Sequence, residues 1–175
     1  MWRWVTALFA TASLALGGSA CCGGGDQVVM AASWADAYPT IDEMVEAADV
    51  VVEVRVTGVA DTGLIDSDVS SVPFTDFSAR VTRILTGQAD EEIIVRQTGG
   101  DVACDRYVVD GDPMLQPEAD YVMFLTEFAP GQYLINGGPT GRLLLDGERL
   151  GQLPDSILDP VHVPADITAL RALIG

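Results

Sequence analysis

The order of apolar and polar residues along the chain predicts a series of short strands. Residues 50–57 alternate valines with mainly polar side chains, which is the period of two of a strand with one buried face. Residues 77–82 repeat this alternation, and a slip of its phase at 83–85 predicts a β-bulge. Gly58 predicts a further bulge or bend, and residues 61–71 are predicted to form a polar loop.

The C-terminal half of the chain continues the strand pattern. Strands are predicted at 93–97, 121–128 and 133–135. The segment 121–128 is apolar at successive positions, so both of its faces are expected to be buried, as in a central strand. Asp146-Gly147 lies between two short apolar segments and is typical of a tight hairpin turn.

Two short helices are predicted at the ends of this strand-rich region. Thr40-Ile41-Asp42-Glu43 has a hydroxyl at the N-cap and a Glu at the N3 position, which is the pattern of a capping box. The apolar residues of 41–48 fall on one helical face. Residues 164–173 predict a second short helix, with Leu170 on its apolar side.

The first 21 residues have the features of an export signal that ends on a cysteine. Arg3 precedes an uncharged apolar run of 14 residues, 5–18, which is shorter than the roughly 20 residues of a membrane-spanning helix. Residues 18–21, Gly-Ser-Ala-Cys, resemble the lipobox of bacterial lipoproteins, and this resemblance implies lipid attachment at Cys21. The same residues also fit an ordinary secretory cleavage site, which stays open as the alternative.

These features divide the chain into three parts. Residues 1–20 are predicted to be a signal peptide, and residues 21–39, which include Gly23 to Gly25, a flexible tether. Residues 40–175 are predicted to form a single β-barrel domain, long enough to bury a core. We expect an extracytoplasmic protein anchored to the cell membrane, with secretion as the alternative.

The chain is strongly acidic, with 26 acidic residues against nine basic ones, all of them arginine, and a net charge of −17. This negative field repels the phosphates of nucleic acids and argues against a nucleic-acid partner. It repels anionic lipid headgroups as well. We therefore expect the acyl chains on Cys21 to hold the protein on the membrane.

The cysteine count limits covalent cross-links. The sequence contains three cysteines, and lipidation of Cys21 leaves only Cys22 and Cys104. We expect the domain to be held by apolar core residues such as Val52 and Val54, and Cys104 to be inert or buried. A Cys22–Cys104 bridge is the alternative.

No set of catalytic, cofactor-binding or metal-binding residues emerges from the motifs. His162 is the only histidine and lies in a predicted linker, so a His-dependent triad would have to use this residue, and HExxH zinc sites, which need two histidines, are excluded. Asp66-Ser67-Asp68 and Asp110-Gly111-Asp112 space carboxylates two residues apart, as calcium loops do, but neither matches the full EF-hand pattern. We expect both to be solvated acidic loops.

Three segments resemble the netrin-like module of the tissue inhibitors of metalloproteinases. They are residues 48–51, residues 77–81 leading into 85–87, and residues 121–125, and the resemblance spans roughly residues 40–136. It implies a small antiparallel barrel of the five-stranded OB type, here flanked by a short N-terminal and a short C-terminal helix. The family's N-terminal Cys-x-Cys is absent, because Cys21 and Cys22 are adjacent, so its inhibitory wedge does not carry over.

These observations favour a non-catalytic binding or interaction module on a lipid anchor, with an unknown protein or small molecule as its ligand. Two alternatives stay open. A carboxylate-dependent hydrolase would need two acidic groups facing each other across a cleft. The second alternative is a secreted protease inhibitor. An exposed apolar patch on the barrel would favour binding, and facing carboxylates would favour the enzyme.

Overall fold

The computed structural model describes residues 25–31, 38–66 and 70–175 and confirms a mainly β protein with two α-helices. The strands are β1 (Gln27–Met30), β2 (Val50–Asp66), β3 (Ser71–Thr86), β4 (Glu92–Thr98), β5 (Gly100–Val102), β6 (Asp105–Val109), β7 (Asp120–Ala129), β8 (Gln132–Ile135), β9 (Arg142–Asp146) and β10 (Arg149–Gln152). The helices are α1 (Ile41–Ala47) and α2 (Ile167–Ile174), and a 3₁₀ turn at Gly138–Gly141 precedes β9.

Seven strands form the larger sheet, in the order β10-β9-β7-β2-β3-β4-β8. Because β8 also pairs with β7, this sheet has a partly ring-like arrangement. A smaller sheet has the order β1-β6-β5. The expectation of purely antiparallel pairing is wrong at two places, since β4 pairs with β8 and β1 with β6 in parallel. Long connections separate the strands of both parallel pairs, which is what parallel pairing requires.

Strands β2 and β3 form an arm that the sequence pattern does not predict. Residues 61–71 were expected to be a polar loop, but they extend the ladder out to the pair Asp66↔Ser71. Cross-strand hydrogen bonds and β-branched side chains stabilise the arm despite its polar composition. A Cβ on Gly63 would lie 2.9 Å from the ring of Phe74, so the glycine makes room for an aromatic side chain on the neighbouring strand.

The predicted irregularities lie where the phase of the pattern slips. The β2–β3 register shifts between Val56 and Gly58, and again between Val51 and Val52, which leaves Leu85 without a partner on β2. Each extra residue increases the local bend and twist of a strand. The hairpin predicted at Asp146-Gly147 joins β9 to β10. Asp146 ends β9 and pairs with Arg149, so the turn itself is Gly147-Glu148, and Gly147 has a φ of 60°.

Two apolar clusters lie on opposite sides of β2 and β7, which confirms β7 as a central strand. Alternate residues of both strands, including Val52 and Val54, point into the first cluster. The intervening residues point into the second, where they meet both helices. The first cluster comprises Val50, Val52, Val54, Val56, Phe77, Ala79, Ile93, Val95, Leu115, Tyr121, Met123, Leu125 and Tyr133. The second comprises Ile41, Met44, Val51, Val122, Phe124, Leu143, Leu158, Ile167 and Leu170.

The two helices are fixed by local caps and by one ion pair. The predicted capping box forms at α1, where Thr40 Oγ1 accepts from the Glu43 N–H and Glu43 accepts from the Thr40 N–H. Arg171 of α2 donates two hydrogen bonds, of 2.7 and 2.6 Å, to the buried carboxylate of Glu53 on β2. Of the helices in the described ranges, none is long and apolar enough to cross a membrane.

Strand β1 lies within the segment 21–39, which was predicted to be a flexible tether. Its residues Gln27–Met30 pair with Arg106–Val109 of β6, residue by residue and in parallel. The expectation of a flexible linker therefore does not hold for these four residues. The physical reason is the edge of β6, whose backbone groups accept a further strand.

Candidate binding site

A cavity of about 620 Å³ lies where the β2–β3 arm meets the β5–β6 hairpin and the segment 112–117. Its lining is mainly apolar. The apolar side chains come from all three parts and are Val59, Phe77, Val108, Val109, Pro113, Met114, Leu115 and Pro117. Val59 is half-exposed at 55 %, whereas Leu115 is buried in the first apolar cluster, so the cavity extends from the surface toward the core.

Two glycines hold the β5–β6 hairpin close to the arm. Gly99 and Gly100 have φ values of 101° and 106°, which favour glycine. A Cβ on Gly100 would lie 2.0 Å from Thr75 Oγ1, so a larger residue would push the hairpin away. Thr75 Oγ1 donates to the Gly99 carbonyl at 2.7 Å, and the Gly99 N–H donates to the Pro73 carbonyl at 2.8 Å. These contacts set the width of the cavity.

An exposed ion pair lines the cavity on the hairpin. Arg106 donates to both carboxylate oxygens of Asp101, at 2.8 and 3.1 Å. These hydrogen bonds lower the pKa of Asp101 below its ordinary value. Because both side chains are well exposed, the pair adds little to the stability of the fold. It does neutralise the charge that each group would otherwise present to a ligand.

A second, fully buried pair supports the segment 112–117. Oδ1 of Asp112 lies 2.7 Å from Nη2 of Arg142, and the two side chains are 2 % and 1 % exposed. Desolvation raises the pKa of Asp112 and lowers that of Arg142, despite their mutual attraction. Arg142 Nη2 also donates to the Pro113 carbonyl. Nη1 of Arg142 has no hydrogen-bond partner within the described ranges.

Gln97 fixes the same segment from β4. Its side-chain amide donates to the Pro113 carbonyl at 3.1 Å and accepts from the Leu115 N–H at 2.9 Å. Gln97 is buried, so these hydrogen bonds form away from water and hold the backbone of 113–115 in one position. The cavity wall is therefore pre-formed on this side.

A further cluster, which the sequence pattern does not predict, lies on the outer face of the sheet. The Arg96 guanidinium lies 4.1 Å from the ring centre of Phe74 and 4.9 Å from that of Phe128. It donates two hydrogen bonds of 2.7 Å to Asp76. The cation–π contacts and the bidentate ion pair together link β3 of the arm to the neighbouring strand β4. The alternation of β3 and β4 places Phe74, Asp76 and Arg96 on one face, whereas Phe128 comes from β7, and the sequence alone does not give the register that brings them together.

The structure corrects the expectation for Cys104, which is disulfide-bonded rather than an inert or buried thiol. Cys21, predicted to carry the lipid, and Cys22 both lie outside the described residues, as do Ser67 and Asp68 of the first acidic loop. His162 is exposed, and its Nδ1 lies 3.0 Å from the carboxylate of Asp159. Within the ranges given above, no group of three or more His, Cys, Asp or Glu residues is placed to hold a metal.

Calcium is expected to leave the melting temperature almost unchanged. In the loop Asp110-Gly111-Asp112, the Asp112 carboxylate is buried against Arg142 and cannot turn toward a cation without breaking that pair. A ligand stabilises a protein only when it binds the native state better than the unfolded one. Thermal unfolding with millimolar calcium or with a chelator tests this. A large stabilisation by calcium that Asp110→Asn abolishes would contradict it.

Comparison with known proteins does not supply a family, because no protein-family model matches the chain and no curated protein matches it significantly.

Proposed function

We propose that this chain is a lipid-anchored, extracytoplasmic binding module without catalytic activity, and that its ligand occupies the cavity between the arm and the β5–β6 hairpin. One observation carries the proposal. The cavity is pre-formed and mainly apolar, and each carboxylate in its wall is already paired with an arginine. Such concave sites with a few fixed polar groups are typical of small-molecule binding.

The size and charge of the cavity favour a neutral, mainly apolar small molecule. A volume of about 620 Å³ lies in the range of sites for such ligands. An ionic ligand would have to compete with Arg106 for Asp101, or break the buried pair of Asp112 with Arg142. The same pairing leaves the hydrolase alternative without two unpaired carboxylates in this cavity wall.

We propose further that the ring-like part of the large sheet is a five-stranded barrel of the OB type, as the resemblance to the netrin-like module implies. The pairings β7–β2, β2–β3, β3–β4, β4–β8 and β8–β7 support it, because they lead back to the first strand. Closure of this kind removes unpaired sheet edges, and the first apolar cluster would fill the interior.

The proposed anchor is lipid on Cys21, on the outer side of the cell membrane. The disulfide at Cys104 supports an extracytoplasmic location, since disulfides persist mainly in oxidising compartments. The net charge of −17 supports an acyl anchor over attraction to anionic headgroups. Intact-mass measurement of protein extracted from membranes tests the anchor, and a mature chain without acyl mass would contradict it.

Binding in the cavity is tested with N-phenyl-1-naphthylamine, a neutral apolar fluorophore. We expect saturable binding to the wild-type protein, with a rise in fluorescence as the dye leaves water. Val59→Trp should weaken this binding about tenfold or more, because the indole would occupy the cavity at its exposed end. The variant should fold, since Val59 is exposed.

Val72→Trp is the matched control. Val72 is also an exposed valine of the arm, but it does not line the cavity. Its dye affinity should equal that of the wild type, and circular dichroism should show both variants folded. Equal affinity in the two tryptophan variants, or no saturable binding to the wild type, would refute the cavity as the binding site.

A further inference from the structure

Residues 25–30 are held against the segment that contains Cys104. The backbone of Gly25 runs so close that a Cβ on it would lie 1.4 Å from the Cys104 carbonyl oxygen. The Asp26 N–H donates to the Asp105 carboxylate at 3.0 Å, and the Arg106 N–H donates to the Asp26 carbonyl at 2.9 Å. The β1–β6 ladder continues from there to Met30. The chain that follows the two N-terminal cysteines is therefore docked beside the disulfide.

Distance alone does not identify the cysteine that pairs with Cys104. The other two cysteines of the sequence are Cys21 and Cys22. Three residues span at most about 10 Å, so Cys22 can reach Cys104 from the position of Gly25, and Cys21, one residue further, can reach it as well. A bridge to either one closes the same docked segment onto the β5–β6 hairpin.

Thiol chemistry distinguishes the two cysteines. Lipidation turns the sulfur of Cys21 into a thioether, which has no S–H to oxidise. We infer that Cys22 pairs with Cys104 while Cys21, the preceding residue, carries the lipid; this inference rests on the proposed anchor. The two thiols lose two protons and two electrons as the S–S bond forms, and a dithiol–disulfide oxidoreductase of the export compartment takes them up.

This arrangement changes what the glycines after the cysteines do. With the bridge at Cys22, Gly23 to Gly25 lie inside the closed loop and cannot serve as a spacer between lipid and domain. The lipidated residue is then one position from a covalent link to the domain. Asp101 and Arg106, which line the cavity, lie on the hairpin that contains Cys104, so the cavity is held close to the membrane.

The test uses the full-length protein, extracted from membranes with detergent in the presence of iodoacetamide and digested without reduction. We expect one cross-linked peptide that joins the acylated N-terminus to the segment around Cys104, with no alkylated cysteine. In Cys22→Ser, the N-terminus should stay acylated and Cys104 should become alkylated. Tandem mass spectrometry assigns both modifications.

The outcomes separate the pairing from the anchor. An alkylated Cys104 in the wild type, on an acylated chain, would overturn the pairing and leave the anchor intact. A Cys21–Cys104 bridge on a chain without acyl mass would overturn both. Bridging that persists in Cys22→Ser would also overturn the pairing. A bridge at Cys22 on a chain without lipid would support the pairing and refute the anchor.

Discussion

Replacing Arg142 by methionine is expected to lower the free energy of unfolding by about 3–5 kcal/mol, because the change leaves the Asp112 carboxylate buried without a counter-charge. The variant also loses the hydrogen bond from Arg142 to the Pro113 carbonyl. Both of the lost interactions hold residues that line the cavity, Asp112 and Pro113. Urea denaturation followed by circular dichroism measures the change, and a loss of less than about 1 kcal/mol would contradict it.

The double variant Arg142→Met, Asp112→Leu is the control. It removes both charges and fills the site with apolar side chains, so most of the lost stability should return. If the double variant is as unstable as Arg142→Met, packing rather than the unpaired charge causes the effect. Arg55→Met provides an exposed comparison. Its ion pair with Asp120 lies at the surface, and its loss should have little effect on stability.

The same pair predicts a pH dependence with a definite sign. Burial raises the pKa of Asp112 above its ordinary value of 3.8. Between that value and the higher pKa of the folded state, the native protein binds a proton that the unfolded chain has released. The contribution of Asp112 to stability is therefore complete below pH 3.8 and falls as the pH rises through the folded-state pKa. As the pH rises across that window, the wild type should lose stability relative to the double variant, which lacks Asp112.

Local signals in the sequence identify most of the secondary structure. The capping box at Thr40 and the hairpin signalled by Asp146-Gly147 depend on a few adjacent residues, and both the capping box and the hairpin form. Strand β7 is recognisable in the sequence because it is apolar at successive positions, and in the structure these residues are buried on both faces of the sheet. Such features need no knowledge of the tertiary structure.

Elements that depend on distant partners are missed. Gln27–Met30 is mostly exposed and lacks the alternation of a half-buried strand, and it is a strand because the edge of β6 accepts it. The arm beyond Gly58 is polar enough to be mistaken for a loop, but a ladder stabilises it. Sequence patterns report burial, and these segments are stabilised by backbone pairing instead.

The candidate site was unpredictable for a similar reason. The cavity is formed by three segments far apart in the chain, and none of them carries a motif. The sequence around Asp112 indicates only an acidic loop, and the arginine partner of Asp112 lies 30 positions later. Neither residue has a local signature of burial. The partnership emerges only when β9 takes its place beside β7.

Reduction of the disulfide at Cys104 is the other change with a large expected effect. A bridge from Cys104 to either Cys21 or Cys22 closes a loop of roughly 80 residues. Such a constraint on the unfolded chain stabilises a protein by about 4 kcal/mol. For a chain of this length, the melting temperature should fall by roughly 10 °C in reductant. Differential scanning fluorimetry with and without a phosphine reductant measures the shift.

The variant Cys104→Ser separates the disulfide from other effects of the reductant. It should melt at the temperature of the reduced wild type and should not respond to reductant. Hydrogen exchange adds a local readout, because β1 is held by the bridge and by its ladder to β6. After reduction, the amides of β6 that β1 covers should exchange faster, whereas those of the central strand β7 should change little. Melting curves that coincide with and without reductant would show that the apolar clusters alone set the stability, and that the bridge adds nothing to them.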